Sequence, residues 1–165
     1  MPQHHLNNRT FLVVEDDQAQ LSLIGKILQM MGADRVVYAA NGPDALDLFG
    51  QTRIDFVITD LRMSPMDGFE LSRRIRAMNV QSVREIPIIV STGYSTQLNV
   101  ENARDAGVTE ILRKPYMPVD LFHRVLSILD CPRHFVAGNA FTGPDRRRRW
   151  DAFSDLAERR LRIPV

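Results

Sequence analysis

The chain contains very little cysteine and no long run of apolar residues. Cys131 is the only cysteine among 165 residues, which excludes an intramolecular disulfide and favours a reducing compartment. No apolar segment approaches the roughly 18 residues that a membrane-spanning helix needs. The opening segment, MPQHHLNNRT, is too polar for a secretory signal. We therefore expect a cytoplasmic protein with no membrane span.

A large excess of one charge is also missing, since 21 basic and 20 acidic residues give a formal net charge of +1. The charges are distributed unevenly, however: residues 1–130 carry 13 Lys+Arg against 16 Asp+Glu, whereas residues 131–165 carry 8 Arg against 4 acidic residues. Apolar residues make up 44% and charged residues 25%, as in ordinary globular proteins. We predict a polar leader over residues 1–8, a globular domain over 9–130 and an Arg-rich extension over 131–165.

From Thr10 onward, short apolar runs alternate with longer amphipathic segments. The apolar runs predict five strands, TFLVV, RVVYAA, DFVITD, PIIVST and EILRK. The amphipathic segments predict five helices, QAQLSLIGKILQMMG, GPDALDLFGQ, DGFELSRRIRAM, TQLNVENARDAG and MPVDLFHRVLSILD. This alternation favours an α/β fold with a doubly wound, five-stranded parallel sheet. The continuous apolar runs agree, because central parallel strands are covered on both faces.

Polar side chains follow the ends of four predicted strands. Glu15 and Asp16 follow the first strand, Asp60 ends the third, Thr92 ends the fourth beside Ser91, and Lys114 ends the fifth. Ligand sites in such sheets lie at the carboxyl ends of the strands. We therefore expect these side chains to meet, although they are far apart in sequence.

The residue types in this group indicate phosphoryl chemistry. Clustered carboxylates repel one another unless a cation is present, and Mg²⁺ prefers a few carboxylates together with waters and phosphate oxygens. Lys114 offers a positive charge and Thr92 a hydrogen-bond donor to a phosphoryl group. Asp60 is placed to act as a nucleophile that forms an acyl phosphate.

Four motifs stand in order along the chain: VVEDD, DLRMSPMDG, STG and KPY. Together they resemble the receiver domain of response regulators in two-component signalling, of the single-domain chemotaxis-like type, over residues 9–130. The resemblance implies a flavodoxin-like (βα)5 fold and a phosphoprotein that is not an enzyme. It further implies a histidine kinase or phosphotransfer protein as donor and a change in the surface of the fourth and fifth predicted helices. The signal would pass by contact with a downstream protein.

The resemblance also implies a role for each matching acidic residue. Asp60 would be the phosphoacceptor. Glu15 and Asp16 would be the acidic pair that holds Mg²⁺, with Asp16 binding directly and Glu15 through water. Asp60 and the backbone carbonyl of Arg62 would complete the metal ligands.

The remaining motif residues would act on the phosphoryl group once it is attached. Thr92 would move toward a phosphoryl oxygen and Lys114 would pair with the group. The Lys114–Pro115 peptide would be cis, an isomer that X–Pro bonds adopt at small cost. Arg62 and Tyr94 occupy positions expected to govern access of water, and so the lifetime of the phosphorylated state.

Three positions depart from the common pattern of this family. Glu15 stands where Asp is more usual, Pro65 comes one place late, and Ile111 replaces an aromatic switch residue. With no aromatic ring at that position, coupling to the output surface has to use other groups. Asp17 and Asp67 are expected to cap the helices that follow them.

The extension leaves several uses open. A helix from Pro144 or Asp145 to Leu161 could dock on its own receiver or on a second copy, giving a homodimer. It could instead be a disordered arm that folds on a protein partner, or bind nucleic acid or an anionic membrane through its arginines. Its interleaved acidic residues make nucleic acid unlikely.

Two other functions are therefore weighed against the switch. One is a transcription or nucleic-acid regulator that uses the Arg-rich extension. The other is a Mg²⁺-dependent aspartyl-phosphate phosphatase, which is disfavoured because Arg62 stands where such enzymes carry a second Asp.

Overall fold

In a computed structural model, five parallel strands form a central sheet with helices on both faces. The structure describes residues 6–93, 97–138 and 140–145. The strands of the sheet are Thr10–Val14 (β1), Arg35–Ala39 (β2), Phe56–Asp60 (β3), Ile88–Thr92 (β4) and Glu110–Arg113 (β5). The helices are Gln18–Met30 (α1), Gly42–Leu48 (α2), Gly68–Arg76 (α3), Gln81–Arg84 (α4), Gln97–Asp105 (α5) and Pro118–Asp130 (α6). The predicted fold class is confirmed.

Helix α4 was not predicted from the sequence. It has four residues, too few to show a helical repeat, and Val80 before it provides no side-chain cap. The two predicted caps are confirmed, because Asp17 accepts a hydrogen bond from the backbone N–H of Gln20 at 2.9 Å and Asp67 accepts one from Glu70 at 2.7 Å. None of the helices in the described part of the chain is long and apolar enough to span a membrane.

In the strand order β2-β1-β3-β4-β5, successive strands are added to one side of β1 and then to the other, so the order reverses between β1 and β3. In the register of these two strands, Val14 pairs with Thr59. The residues that follow, Glu15 and Asp60, therefore lie at the same level of the sheet edge. On the other side of β3, Asp60 pairs with Ser91, so the polar strand ends gather at the switch point, where ligands bind in open α/β sheets.

The core consists of two apolar layers, one on each face of the sheet. Alternate residues of β1 enter different layers: Leu12 and Val14 pack on the α3 side, and Phe11 and Val13 pack on the side of α1 and α6. The Phe11 ring stacks on Phe56 with 5.3 Å between centroids. Burial of each such side chain contributes about 1.5 to 3 kcal/mol. Leu6 of the predicted polar leader is also buried in the second layer.

The extension contains a short antiparallel hairpin that the sequence did not reveal. Its strands are Phe135–Ala137 (β6) and Thr142–Pro144 (β7), and the backbone N–H of Asp145 donates to the carbonyl of His134 at 2.7 Å. The possible helix start at Pro144 is therefore wrong, because that residue pairs with Phe135 in the hairpin. The rest of that predicted helix lies outside the described residues.

The hairpin packs on the globular domain at the end of the sheet opposite Asp60. Phe135 lies under the guanidinium of Arg76, with 5.4 Å from the carbon of the guanidinium to the ring centroid. Gly143 approaches Gly107 so closely that a Cβ on Gly143 would lie 2.8 Å from the Cα of Gly107. Just before the hairpin, Arg133 pairs with Glu110 at 2.7 Å. In its described part, the extension thus docks on its own chain.

Candidate functional site

Lys114 joins the two buried carboxylates at the switch point. Its ammonium lies 2.6 Å from Oδ1 of Asp60 and 3.0 Å from Oε2 of Glu15. Both carboxylates are buried, with relative exposures of 8% and 2%. Strands β1, β3 and β5 thus bring together, in one ion-paired group, three side chains that the sequence predicted to meet.

The shared ammonium only partly offsets the cost of burying two negative charges. Burial raises the pKa of Glu15, and the nearby Asp60 charge raises it further, while the hydrogen bond from Lys114 lowers it. Burial alone would lower the pKa of Lys114, but its hydrogen bonds to Asp60 and Glu15 outweigh this effect and the pKa is raised. Lys114 is therefore a firmly protonated cation, and Glu15 is a carboxylate with an excess of negative charge nearby.

The second oxygen of Asp60 is held by the loop that follows β3. The backbone N–H of Arg62 donates to Oδ2 at 2.8 Å, and Oγ of Ser91 lies 3.5 Å from Oδ1. Thr92, at the end of β4, is buried with 4% exposure. The Asp60 carboxylate is consequently fixed in orientation from both sides before any reaction takes place.

The remaining predicted site residues lie at the rim of the site or outside the described part of the chain. Asp16 and the side chain of Arg62 are exposed at the rim, and Tyr94 lies outside the described residues. The Lys114–Pro115 peptide is cis, and so is Ser64–Pro65 in the loop that departs from the family pattern.

The carboxylates suit a Mg²⁺ ion in donor type and in charge. Glu15, Asp16 and Asp60 contribute three negative charges against the single ammonium of Lys114, and the raised pKa of Glu15 reflects burial and the charge of Asp60. Among the described residues, no three His, Cys, Asp or Glu side chains converge closely enough to hold a metal by themselves. Mg²⁺ does not require such a cage, since it usually keeps several waters and takes one or two carboxylates.

Sequence reasoning missed one polar contact of the site. Gln20, in the first turn of α1, accepts a hydrogen bond from the Lys114 ammonium through Oε1 at 2.8 Å. The local sequence indicates a different contact: Asp17 and Gln20 have the spacing of a capping box, in which the Gln side chain would turn back to the helix start. The structure sends it to Lys114 instead.

Gly68 allows the start of α3 to pass directly over Asp60. A Cβ at this position would collide with the carbonyl oxygen of Asp60 and would lie 3.2 Å from Cα of Leu61. Because those atoms belong to the backbone, Gly68→Ala should lower the free energy of unfolding by about 1 to 3 kcal/mol, measured by urea denaturation. Gly50→Ala is the matched control, since the nearest atom to its Cβ is 3.6 Å away. Equal stability of the two variants would contradict this close packing.

A protein-family model and curated relatives both match this chain. A family model described as response regulator receiver domain matches residues 11–126. The Regulator of RpoS of Escherichia coli (strain K12) is 30% identical over 152 residues, covering 91% of this chain and 43% of that protein. The cyclic di-GMP phosphodiesterase response regulator RpfG of Xanthomonas campestris pv. campestris (strain 8004) is 32% identical, covering 72% and 31%. The chain thus spans less than half the length of these curated relatives.

Solved structures similar to this chain share its fold over the same region. The chemotaxis protein CheY4 of Vibrio cholerae has a TM-score of 0.68 and 29% identity, covering 73% of this chain and 98% of that one. The receiver domain of the sensor histidine kinase PA1611 of Pseudomonas aeruginosa PAO1 has a TM-score of 0.64 and 31% identity, covering 73% and 96%. A magnesium ion is coordinated in the active-site cleft of the latter.

Proposed function

Because the chain belongs to the response regulator receiver domain family of two-component systems, we propose that it is a phosphorylation-dependent switch that accepts a phosphoryl group on Asp60. The observation that carries this proposal is the Lys114 ammonium placed between Asp60 and Glu15. A buried, oriented carboxylate beside a fixed cation is suited to attack phosphorus and to have the product held in place.

In the proposed reaction, a carboxylate oxygen of Asp60 attacks the phosphorus atom of the donor. A P–O bond forms, and the bond from phosphorus to the donor histidine nitrogen breaks, with its electron pair leaving on the nitrogen. Lys114 then pairs with the negative phosphoryl oxygens, and Thr92 donates a hydrogen bond to one of them. When bound, Mg²⁺ would neutralise part of the charge that develops on the transferred group.

Each remaining site residue has a proposed part. Glu15, Asp16, Asp60 and the carbonyl of Arg62 would hold the metal. The Arg62 side chain, which is exposed at the rim, would tune the lifetime of the acyl phosphate together with Tyr94 by governing the approach of water.

The proposed partners are a histidine kinase or phosphotransfer protein as donor and a downstream protein that reads the surface of α5 and α6. Position 111 is an isoleucine, which packs against the apolar layer on the α3 side. It carries no aromatic ring that could rotate when Thr92 moves. We place this exchange in the cytoplasm, where histidine kinases present their phosphoryl groups.

Incubation with acetyl phosphate tests the proposal directly. We expect intact-mass spectrometry to show one added phosphoryl group per chain in the presence of Mg²⁺. If the metal is chelated before acetyl phosphate is added, no label should appear, because the excess of negative charge at the site is then not neutralised. Hydrolysis of a free phosphomonoester over many turnovers, with no stoichiometric label left on the chain, would instead favour the phosphatase. A chain that remains unlabelled by acetyl phosphate and by a phosphorylated histidine kinase would disprove the switch.

A further inference from the structure

Gln20 completes the set of acceptors around the Lys114 ammonium. A lysine ammonium has three N–H donors, and here three side-chain oxygens surround it: Asp60 Oδ1 at 2.6 Å, Glu15 Oε2 at 3.0 Å and Gln20 Oε1 at 2.8 Å. The first two are buried carboxylates at the strand ends, whereas Gln20 is exposed on α1. The amide therefore approaches the ammonium from the solvent side of the site.

The local structure of α1 leaves this amide available for Lys114. In a capping box, the side chain at the position of Gln20 binds the backbone N–H of the capping residue. Here that N–H, from Asp17, donates to Glu15, and the Asp17 carboxylate accepts from the backbone N–H of Gln20 at 2.9 Å. Because Glu15 already accepts the backbone N–H of Asp17, the Gln20 side chain is not needed there and can reach across to Lys114 after β5.

An amide suits this place better than a third carboxylate would. Another negative charge beside Asp60 and Glu15 would repel an incoming phosphoryl donor. The neutral oxygen holds the ammonium without adding charge.

We propose that Gln20 is a positioning residue for phosphoryl transfer, which fixes the Lys114 ammonium where it meets the phosphoryl group on Asp60. The inference rests on the proposed function of the site. In this role Gln20 acts through its hydrogen bond to Lys114 and takes no part in forming the bond to phosphorus.

The chain provides its own reference for a test of the contact. Lys26 and Lys114 are its only two lysines, and Lys26 is exposed on α1. In the full-length unphosphorylated protein, labelling by an amine-reactive ester, mapped by peptide mass spectrometry, gives the ratio of modification at Lys114 to that at Lys26. In Gln20→Met we expect this ratio to rise about threefold through loss of one ordinary hydrogen bond at an exposed position.

Two further variants separate the contact from effects on the helix. Gln20→Glu keeps an oxygen acceptor at the same reach, so its Lys114 should remain protected. Gln18→Met makes the same exchange on an exposed residue of the same helix turn and should leave the ratio unchanged. A ratio in Gln20→Met equal to that of the wild type would overturn the contact.

The second arm measures the rate of labelling by acetyl phosphate with Mg²⁺. We expect Gln20→Met to react about three- to tenfold more slowly than the wild type, as for loss of one ordinary intramolecular hydrogen bond at an exposed position, while Gln18→Met keeps the wild-type rate. Equal rates in all three proteins, with the labelling ratio raised, would overturn the positioning role and leave the proposed function intact. If the wild type itself takes up no phosphoryl group, the proposed function fails, and the labelling ratio still reports on the contact.

Discussion

Asp60→Asn will take up no phosphoryl group from acetyl phosphate, because its amide lacks the nucleophilic oxygen that forms the acyl phosphate. The fold should survive the exchange. An Asn side-chain oxygen can still accept the backbone N–H of Arg62, which lies 2.8 Å from Oδ2 of Asp60. Lys114 retains Glu15 and Gln20 as acceptors. Intact-mass spectrometry after incubation with Mg²⁺ and acetyl phosphate provides the measurement, and circular dichroism confirms that the variant is folded.

Asp67→Asn is the matched control for this variant. Asp67 caps α3 and accepts a hydrogen bond from the backbone N–H of Glu70 at 2.7 Å, and Asn serves as a cap about as well as Asp. This control should be labelled to the wild-type extent. Labelling of Asp60→Asn at the same level would show that another residue accepts the phosphoryl group.

Arg76→Met should destabilise the fold strongly. The Arg76 side chain is 4% exposed and donates to the carbonyls of Gly107, Arg84 and Ile86 at 2.7 to 2.9 Å. Met fills a similar volume but leaves three carbonyls without their donors, and each buried unsatisfied group costs about 1 to 3 kcal/mol. We expect a loss of about 3 to 5 kcal/mol in the free energy of unfolding, measured by urea denaturation.

Arg74→Met makes the same exchange two residues away on the exposed side of α3. Arg74 pairs with Glu70 at 2.9 Å at the surface, and such pairs contribute less than about 1 kcal/mol. The stability of Arg76→Lys should lie between that of these two variants. Its ammonium keeps the positive charge, but it lacks the planar set of donors with which the guanidinium reaches three carbonyls. If Arg76→Met were no less stable than Arg74→Met, the guanidinium would not be holding these loops together.

Arg76 remains a cation at neutral pH despite its burial. Burial lowers its pKa to about 9, so the charged form predominates at pH 7 in both the folded and the unfolded chain. Between about pH 9 and the higher pKa of an arginine in the unfolded chain, the folded chain would release a proton that the unfolded chain keeps. In that interval the contribution of Arg76 to stability rises with pH, whereas below it the contribution is constant.

The sheet and the main charges of the site could be predicted because their signals are local. Each of the five strands contains a short apolar run, and Asp60 and Lys114 sit at strand ends in the sequence. A parallel sheet then places strand ends together whatever the distance along the chain. This reasoning needs only the positions of the elements.

The features that escaped prediction depend on contacts between segments without a shared pattern. Nothing in RRIR indicates that Arg76 turns inward to bind three carbonyls while Arg73 and Arg74 remain in solvent. The three-residue strands FVA and TGP carry no alternation from which a hairpin could be inferred. The acceptor role of Gln20 likewise depends on how near α1 comes to β5.

The docked hairpin determines where this receiver could be joined to another protein. The family match ends at residue 126, and a designer of chimeric regulators would naturally place the junction there or after Asp130. Either junction would remove the Phe135 ring from Arg76 and the close contact of Gly143 with Gly107. The buried guanidinium of Arg76 would then be exposed to water. A transplant that keeps the chain through Asp145 would retain both of these contacts.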